Sequence, residues 1–127
     1  MGIDRKKIFR KYPWIRKKTQ KFIISADYDG LICASLLKHH LDWDLVGYYD
    51  LTSLWYSPIA EKNIDDLIWV DLNILSARGS AIGGHIVSID GKLPKGFNSS
   101  CNPNIIANIN SKNFNNKFPF STLIFLL

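Results

Sequence analysis

The 127-residue chain has two cysteines, one methionine and one glutamate. No apolar run in it approaches the ~18 to 20 residues that cross a bilayer. Each shortage excludes a class. Cys33 lies in an apolar, helix-like segment and Cys101 in a polar loop, so a disulfide-built scaffold is excluded and both read as reduced thiols. The basic N-terminus lacks the uninterrupted apolar core of a secretory signal, so the expected location is the cytoplasm, with no membrane partner. Ten of the eleven acids are Asp, a residue favoured at turns, helix starts and hard-metal sites rather than along helix faces. With 46% apolar and 21% charged residues the composition is that of one folded domain, and disorder is excluded.

The net charge of +5 is unevenly spread. Residues 1–21 hold nine Lys or Arg against Asp4 alone, whereas residues 22–127 hold seven against ten acids. Basicity therefore belongs to a leader, residues 1–21, ahead of a domain over residues 22–127. Arg5, Lys6, Lys7, Arg10, Lys11, Arg16, Lys17 and Lys18, interleaved with Phe9, Tyr12 and Trp14, form a pattern suited to a phosphate backbone. A solvated leader is the competing reading.

Beyond the leader, Phe22–Ala26 is a short apolar run without helical period, which reads as a buried strand. Leu31, Ala34, Leu37 and Leu41 recur at helical spacing, and Lys38, His39 and His40 near the end complement a helix dipole. That predicts a helix starting near Asp29. Leu45–Tyr49, Leu67–Val70 and His85–Ile89 read as further strands, closed by Asp50, Asp71 and Asp90. Pro58 opens a short helix, Ile74–Ser80 reads as a short helical segment, and the Asn-rich passage 98–116 reads as loop. Trp43, Trp55, Trp69, Tyr48 and Tyr49 flank strands and read as core, with base stacking as their other use. Strands alternating with helices give βαβ units, so the fold class is α/β with an open, mainly parallel sheet. Six of the last eight residues are apolar, which reads as the first part of a longer architecture or an end covered by a partner or second copy.

Asp27 and Asp29 follow the first strand, Asp71 the third and Asp90 the fourth. In a parallel sheet such ends share one edge, where open α/β sheets bind ligands. Converging carboxylates repel one another, and a hard divalent cation, Mn²⁺ or Mg²⁺, offsets that repulsion. Simple helix capping and turn formation are the competing roles.

Ile24-Ser-Ala-Asp-Tyr-Asp-Gly30, Trp69-Val-Asp-Leu72 and Gly84-His-Ile-Val-Ser-Ile-Asp90, in this order, resemble the first three motifs of the DHH phosphoesterases, which include RecJ-type exonucleases and oligoribonucleases. Asn102-Pro103 and the segment from Phe118 to Leu123 are similar to the stretch after the third motif in that family. The resemblance implies Mn²⁺-dependent hydrolysis of a nucleic-acid or nucleotide phosphodiester. Its metal ligands would be Asp27, Asp29, Asp71 and Asp90, with Asp71 and Asp90 also catalytic.

The third motif departs from the family pattern, reading Asp90-Gly91-Lys92 in place of Asp-His-His. Ser25 stands where RecJ-type members often have Asp. The family's later acidic motif and its smaller substrate-binding domain would lie beyond Leu127. His85, read as the start of a strand, is placed ~16 Å from that strand's far end at ~3.3 Å per residue, too far to replace the missing histidine. Lys92, taken with Asp71 and Asp90 as catalytic, is expected to put an ammonium where a second cation would sit, predicting weak or single Mn²⁺ binding, and an exposed loop lysine is the competing reading. A non-catalytic relative that binds nucleic acid or a partner is the alternative.

Overall fold

A computed structural model of the chain describes residues 4–62, 64–72, 79–85, 92, 99–117 and 121–127. Its centre is a six-stranded sheet in the order β3-β2-β1-β4-β5-β6. The strands are β1 (Lys21–Ser25), β2 (Asp44–Tyr49), β3 (Leu54–Tyr56), β4 (Ile68–Val70), β5 (Ser80–Ile82) and β6 (Ser100–Cys101). All pairings are parallel except that of β3 with β2, so β3 is an antiparallel edge. The expected α/β class with a mainly parallel sheet and flanking helices is what forms.

Both faces of the sheet are covered, which is why its central strands carry continuous apolar runs rather than alternating ones. Phe22, Ile24, Val70 and Ile82 face one side and join Cys33, Ala34 and Leu37 of helix α2 (Tyr28–Leu41) in one buried cluster. Leu123, Phe125 and Leu126 of the final helix α5 (Thr122–Leu126) pack against that cluster. Ile23, Trp69 and Ala81 face the other side, where Ala60 of the short helix α3 (Pro58–Glu61) meets them. Pro58 sits at the start of α3, where its missing N–H costs nothing. Among the described residues no helix is long and apolar enough to cross a membrane.

The basic N-terminal stretch is folded onto this body. Asp4 caps helix α1 (Arg5–Lys11) by accepting from the Lys6 and Lys7 N–H groups. Ile8 and Tyr12 are buried against Cys101, while Arg5, Lys6, Lys7, Arg10, Lys11, Arg16, Lys17 and Lys18 all remain exposed. Apolar residues four apart share one helix face, which leaves the cations on the other.

Several expectations are corrected. Of the expected helical segment Ile74–Ser80, residues 74–78 lie outside the described residues and Ser80 opens β5, while His85, the expected start of a strand, is not in a strand. The rest of the expected His85–Ile89 strand lies outside the described residues. Cys101 is not in a loop but buried in β6, and helix α4 (Pro103–Ile106) follows it within the supposed loop 98–116. Leu31, on the apolar stripe of α2, is exposed. Trp43 and Trp69 are core residues, as expected, whereas Trp55 and Tyr48 are exposed. Both cysteines are free.

The turn from β1 into α2 depends on Gly30. A Cβ there would overlap the Ser25 carbonyl and lie 2.7 Å from the Ser25 hydroxyl oxygen. Backbone cannot yield as a flexible side chain does, so Gly30→Ala is expected to destabilise the fold by about 2 kcal/mol. Urea unfolding beside the exposed control Ser35→Ala checks this, and equal stability of the two variants would remove the close approach from the account.

Candidate functional site

The strand order reverses between β1 and β4: from β1 the chain moves outward to β2 and β3, then returns to β4 on the other side. The crevice outside the strands' carboxyl ends at such a reversal is the usual ligand position in open α/β sheets. Asp27 and Asp29 come from the β1 end and Asp71 from the β4 end.

These side chains are joined by hydroxyl groups. Ser25 Oγ lies 3.0 Å from Asp27 Oδ1 and 2.7 Å from Asp71 Oδ2, so its single proton bridges two carboxylates. Thr122 Oγ1 donates to Asp71 Oδ1 at 2.6 Å. Asp27 also caps α2, accepting from the Gly30 N–H at 2.8 Å. Asp29 accepts from the N–H groups of Thr122 and Leu123, at 3.0 and 3.1 Å, two donors left without helical partners at the start of α5. Residues almost a hundred positions apart are thereby fixed together. The capping role and the convergence therefore coexist in Asp27.

Asp71 is buried and has a left-handed backbone, φ 60°, a conformation that Asp tolerates better than most residues. Burial pushes its carboxyl above the usual range, the Thr122 and Ser25 hydroxyls oppose this, and the charges of Asp29 and Asp27 add to the rise. Burial, and then the charge of Asp29, likewise pushes the Cys33 thiol up, so it is held as an inert thiol.

His85 is the principal correction. Its Nε2 lies 3.8 Å from Asp71 Oδ1, not far from the carboxylates. β5 ends at Ile82, three residues before His85, so the imidazole sits just past the carboxyl end of that strand. Two buried amides hold its loop. Asn102 Nδ2 donates to the His85 carbonyl at 2.7 Å and Asn104 Nδ2 to the Gly84 carbonyl at 2.5 Å. Asn102 Oδ1 in turn accepts from the Asn104 N–H at the start of α4. Ser25, Thr122, Asn102 and Asn104 were not singled out for the site. Asn102 could have been, since it opens a Pro-initiated turn; the Thr122 contact has no local signal.

Asp90 lies outside the described residues, and Lys92 is exposed. Carboxylate oxygens and an imidazole nitrogen suit a hard divalent ion, and a buried carboxylate beside like charges is what such an ion would relieve. Yet among the described residues no three His, Cys, Asp or Glu groups are disposed to share one metal ion. Both Asp29 oxygens are turned to α5. The donor set suits Mn²⁺ or Mg²⁺ in kind and falls short in arrangement.

Two measurements test this geometry. In metal-free protein, Asp71→Asn keeps an acceptor for Thr122 and removes a charge whose burial is unfavourable. It is expected to raise stability by about 1 kcal/mol at pH 7 in denaturant unfolding. A raised folded-state pKa means wild-type stability increases on acidification, so the difference should shrink as pH falls through that pKa toward the unfolded value of about 4. A destabilised Asp71→Asn protein would refute the electrostatic account. Asn104→Ala should release the Gly84 carbonyl, cost about 2 kcal/mol and speed amide hydrogen exchange around residues 83–85 relative to β1. Compared with family models, curated proteins and solved structures, the chain matches none.

Proposed function

We propose that the chain is a DHH-like phosphoesterase domain acting on nucleic-acid or nucleotide phosphodiesters, with a weakened divalent-cation site at the crevice between β1 and β4. The observation that carries this reading is the meeting of Asp27, Asp29 and Asp71 across two strands at the point where the sheet order reverses. Three acids drawn together by the fold, one of them buried, favour positive charge at this edge in addition to the helix caps that Asp27 and Asp29 form. Asp27 and Asp71 would hold Mn²⁺ or Mg²⁺, with Asp29 contributing the lone pairs its helix contacts leave. The bound ion would lower the pKa of a water and offset negative charge on the phosphoryl oxygens.

The protein's own groups have separate tasks. Ser25 and Thr122 fix both Asp71 oxygens in direction, so that the carboxylate cannot rotate away from the crevice. Asn102 and Asn104 hold the loop that brings His85 to its edge, where an imidazole can accept or donate a proton. The exposed cations of α1 and of the following turn add salt-sensitive attraction for a polyanion.

A second reading, a non-catalytic domain that binds nucleic acid, is favoured by one feature: hydroxyl and backbone donors already satisfy the carboxylates without a cation. Turnover separates the two. Mn²⁺-dependent hydrolysis of a dinucleotide, reduced at least about a hundredfold in Asp27→Ala and Asp71→Ala, supports the phosphoesterase. Calorimetric titration should find one weak Mn²⁺ per chain. Absence of turnover, with nucleic-acid binding that weakens in salt and on changing Lys6, Lys7 and Arg10 to Ala, would establish the second reading instead.

A further inference from the structure

A groove of about 790 Å³ opens beside the acidic crevice, between the first turns of α2 and the outer part of β2. Ile24, Tyr28, Leu31, Leu45 and Tyr48 line it, together with Asp27, which is also part of the crevice. We propose that this groove is a nucleobase subsite, so that the substrate of the phosphoesterase site is a nucleotide or a single-stranded nucleic-acid end; the inference rests on that reading of the crevice.

Its volume is in the ordinary range for small-ligand sites. Its walls expose apolar and aromatic surface that a single domain normally covers: Tyr28 is 87% exposed, Leu31 56%, Leu45 47% and Tyr48 43%. Single exposed residues of this kind need no explanation, but four around one hollow do. The Tyr48 ring is backed by Trp55, with centroids 6.4 Å apart and planes 21° from parallel, so a flat aromatic face is held in place. Among its described lining residues the groove has no cation, and Asp27 is its one acid. It is therefore unsuited to a phosphate and suited to the neutral, planar part of a nucleotide.

Position argues for the same occupant. Asp27 Oδ1 is 3.0 Å from the Ser25 hydroxyl that also reaches Asp71, so groove and crevice are separated by one side chain. A ligand seated against Tyr48 with its charged end toward the carboxylates needs a short polar spacer, which a ribose supplies. A wholly apolar peptide seated in the groove would bury the Asp27 carboxylate beside it without a partner cation, at substantial cost. Because the lining offers stacking surface and few polar groups, recognition should tolerate different bases.

The test compares a dinucleotide with its abasic counterpart, which has the same sugar-phosphate chain and no bases. Wild-type protein should prefer the dinucleotide in kcat/KM, and Tyr48→Ala should reduce that preference by about tenfold, through KM, while Tyr48→Phe retains it. Equal hydrolysis of both substrates by wild type would overturn the subsite. Should neither be hydrolysed, the phosphoesterase reading fails, and the groove is judged by calorimetric binding of adenosine monophosphate with Mn²⁺ present. Binding that weakens about tenfold in both Tyr48→Ala and Leu31→Ser sustains it. Absent binding, or binding equal in wild type and variants, overturns it, as does a concentration-dependent dimer that Tyr48→Ala dissociates.

Discussion

The Asp71 carboxylate is the tie on which the arrangement of this domain depends. One oxygen receives the Ser25 hydroxyl at the end of β1 and the other receives the Thr122 hydroxyl at the start of α5, so a single buried group connects two neighbouring strands to the last helix. Removing that acceptor would leave the buried Thr122 hydroxyl unsatisfied and Ser25 with Asp27 alone, and a group orphaned in this way costs more than the bond itself contributes. The charge on that acceptor is meanwhile opposed by burial and by Asp27 and Asp29. The same atom is therefore favourable as an acceptor and unfavourable as a charge. An amide would relieve the charge but keep only one of the two acceptor oxygens.

This conflict also orders the surroundings. Asp29 turns both oxygens to the N–H groups of Thr122 and Leu123, which brings the donor Thr122 within reach of Asp71. The apolar side of α5 then lies on the cluster formed by α2 and the central strands. Packing and polar ties act in one direction: Leu123 and Phe125 supply burial that is indifferent to exact position, and the carboxylates supply the position.

Legibility in the sequence tracks element length and period. β1, β2, β4 and α2 were readable because apolar runs bounded by Asp or Gly and a long helical stripe leave local signals. β5 and β6 were not, since three residues, Ser80–Ile82, or two, Ser100–Cys101, establish no period and form only because neighbouring strands offer unpaired groups. β3 has no distinct local signal although Leu54, Trp55 and Tyr56 are strand-prone, because a three-residue antiparallel return is hard to separate from a loop. The same difficulty reached the site. Asp27, Asp29 and Asp71 could be placed from strand ends alone, whereas the register error at β5 displaced His85 by most of a strand's length. Ser25 was noticed only as a departure from a family pattern, and its role as a shared donor emerges once Asp71 is beside it.

The position of Ser25 bears on how the crevice accommodates charge. An acid in its place would put a further carboxylate beside Asp27 and Asp71, and without a cation such crowding raises the pKa of at least one member. A hydroxyl reverses the local balance, donating to both neighbours where an acid would repel them. The carboxylates are thus satisfied by hydroxyl and backbone donors of the chain itself. The exposed cations of α1 lie on an element whose Ile8 and Tyr12 anchor it at β6, the far end of the sheet from β2. On the proposed reading, attraction for a polyanion and contact with its flat groups are separated along the sheet, with the acidic crevice between them. A strand laid across that order would meet cations at one end, carboxylates in the middle and the Tyr48 face at the other.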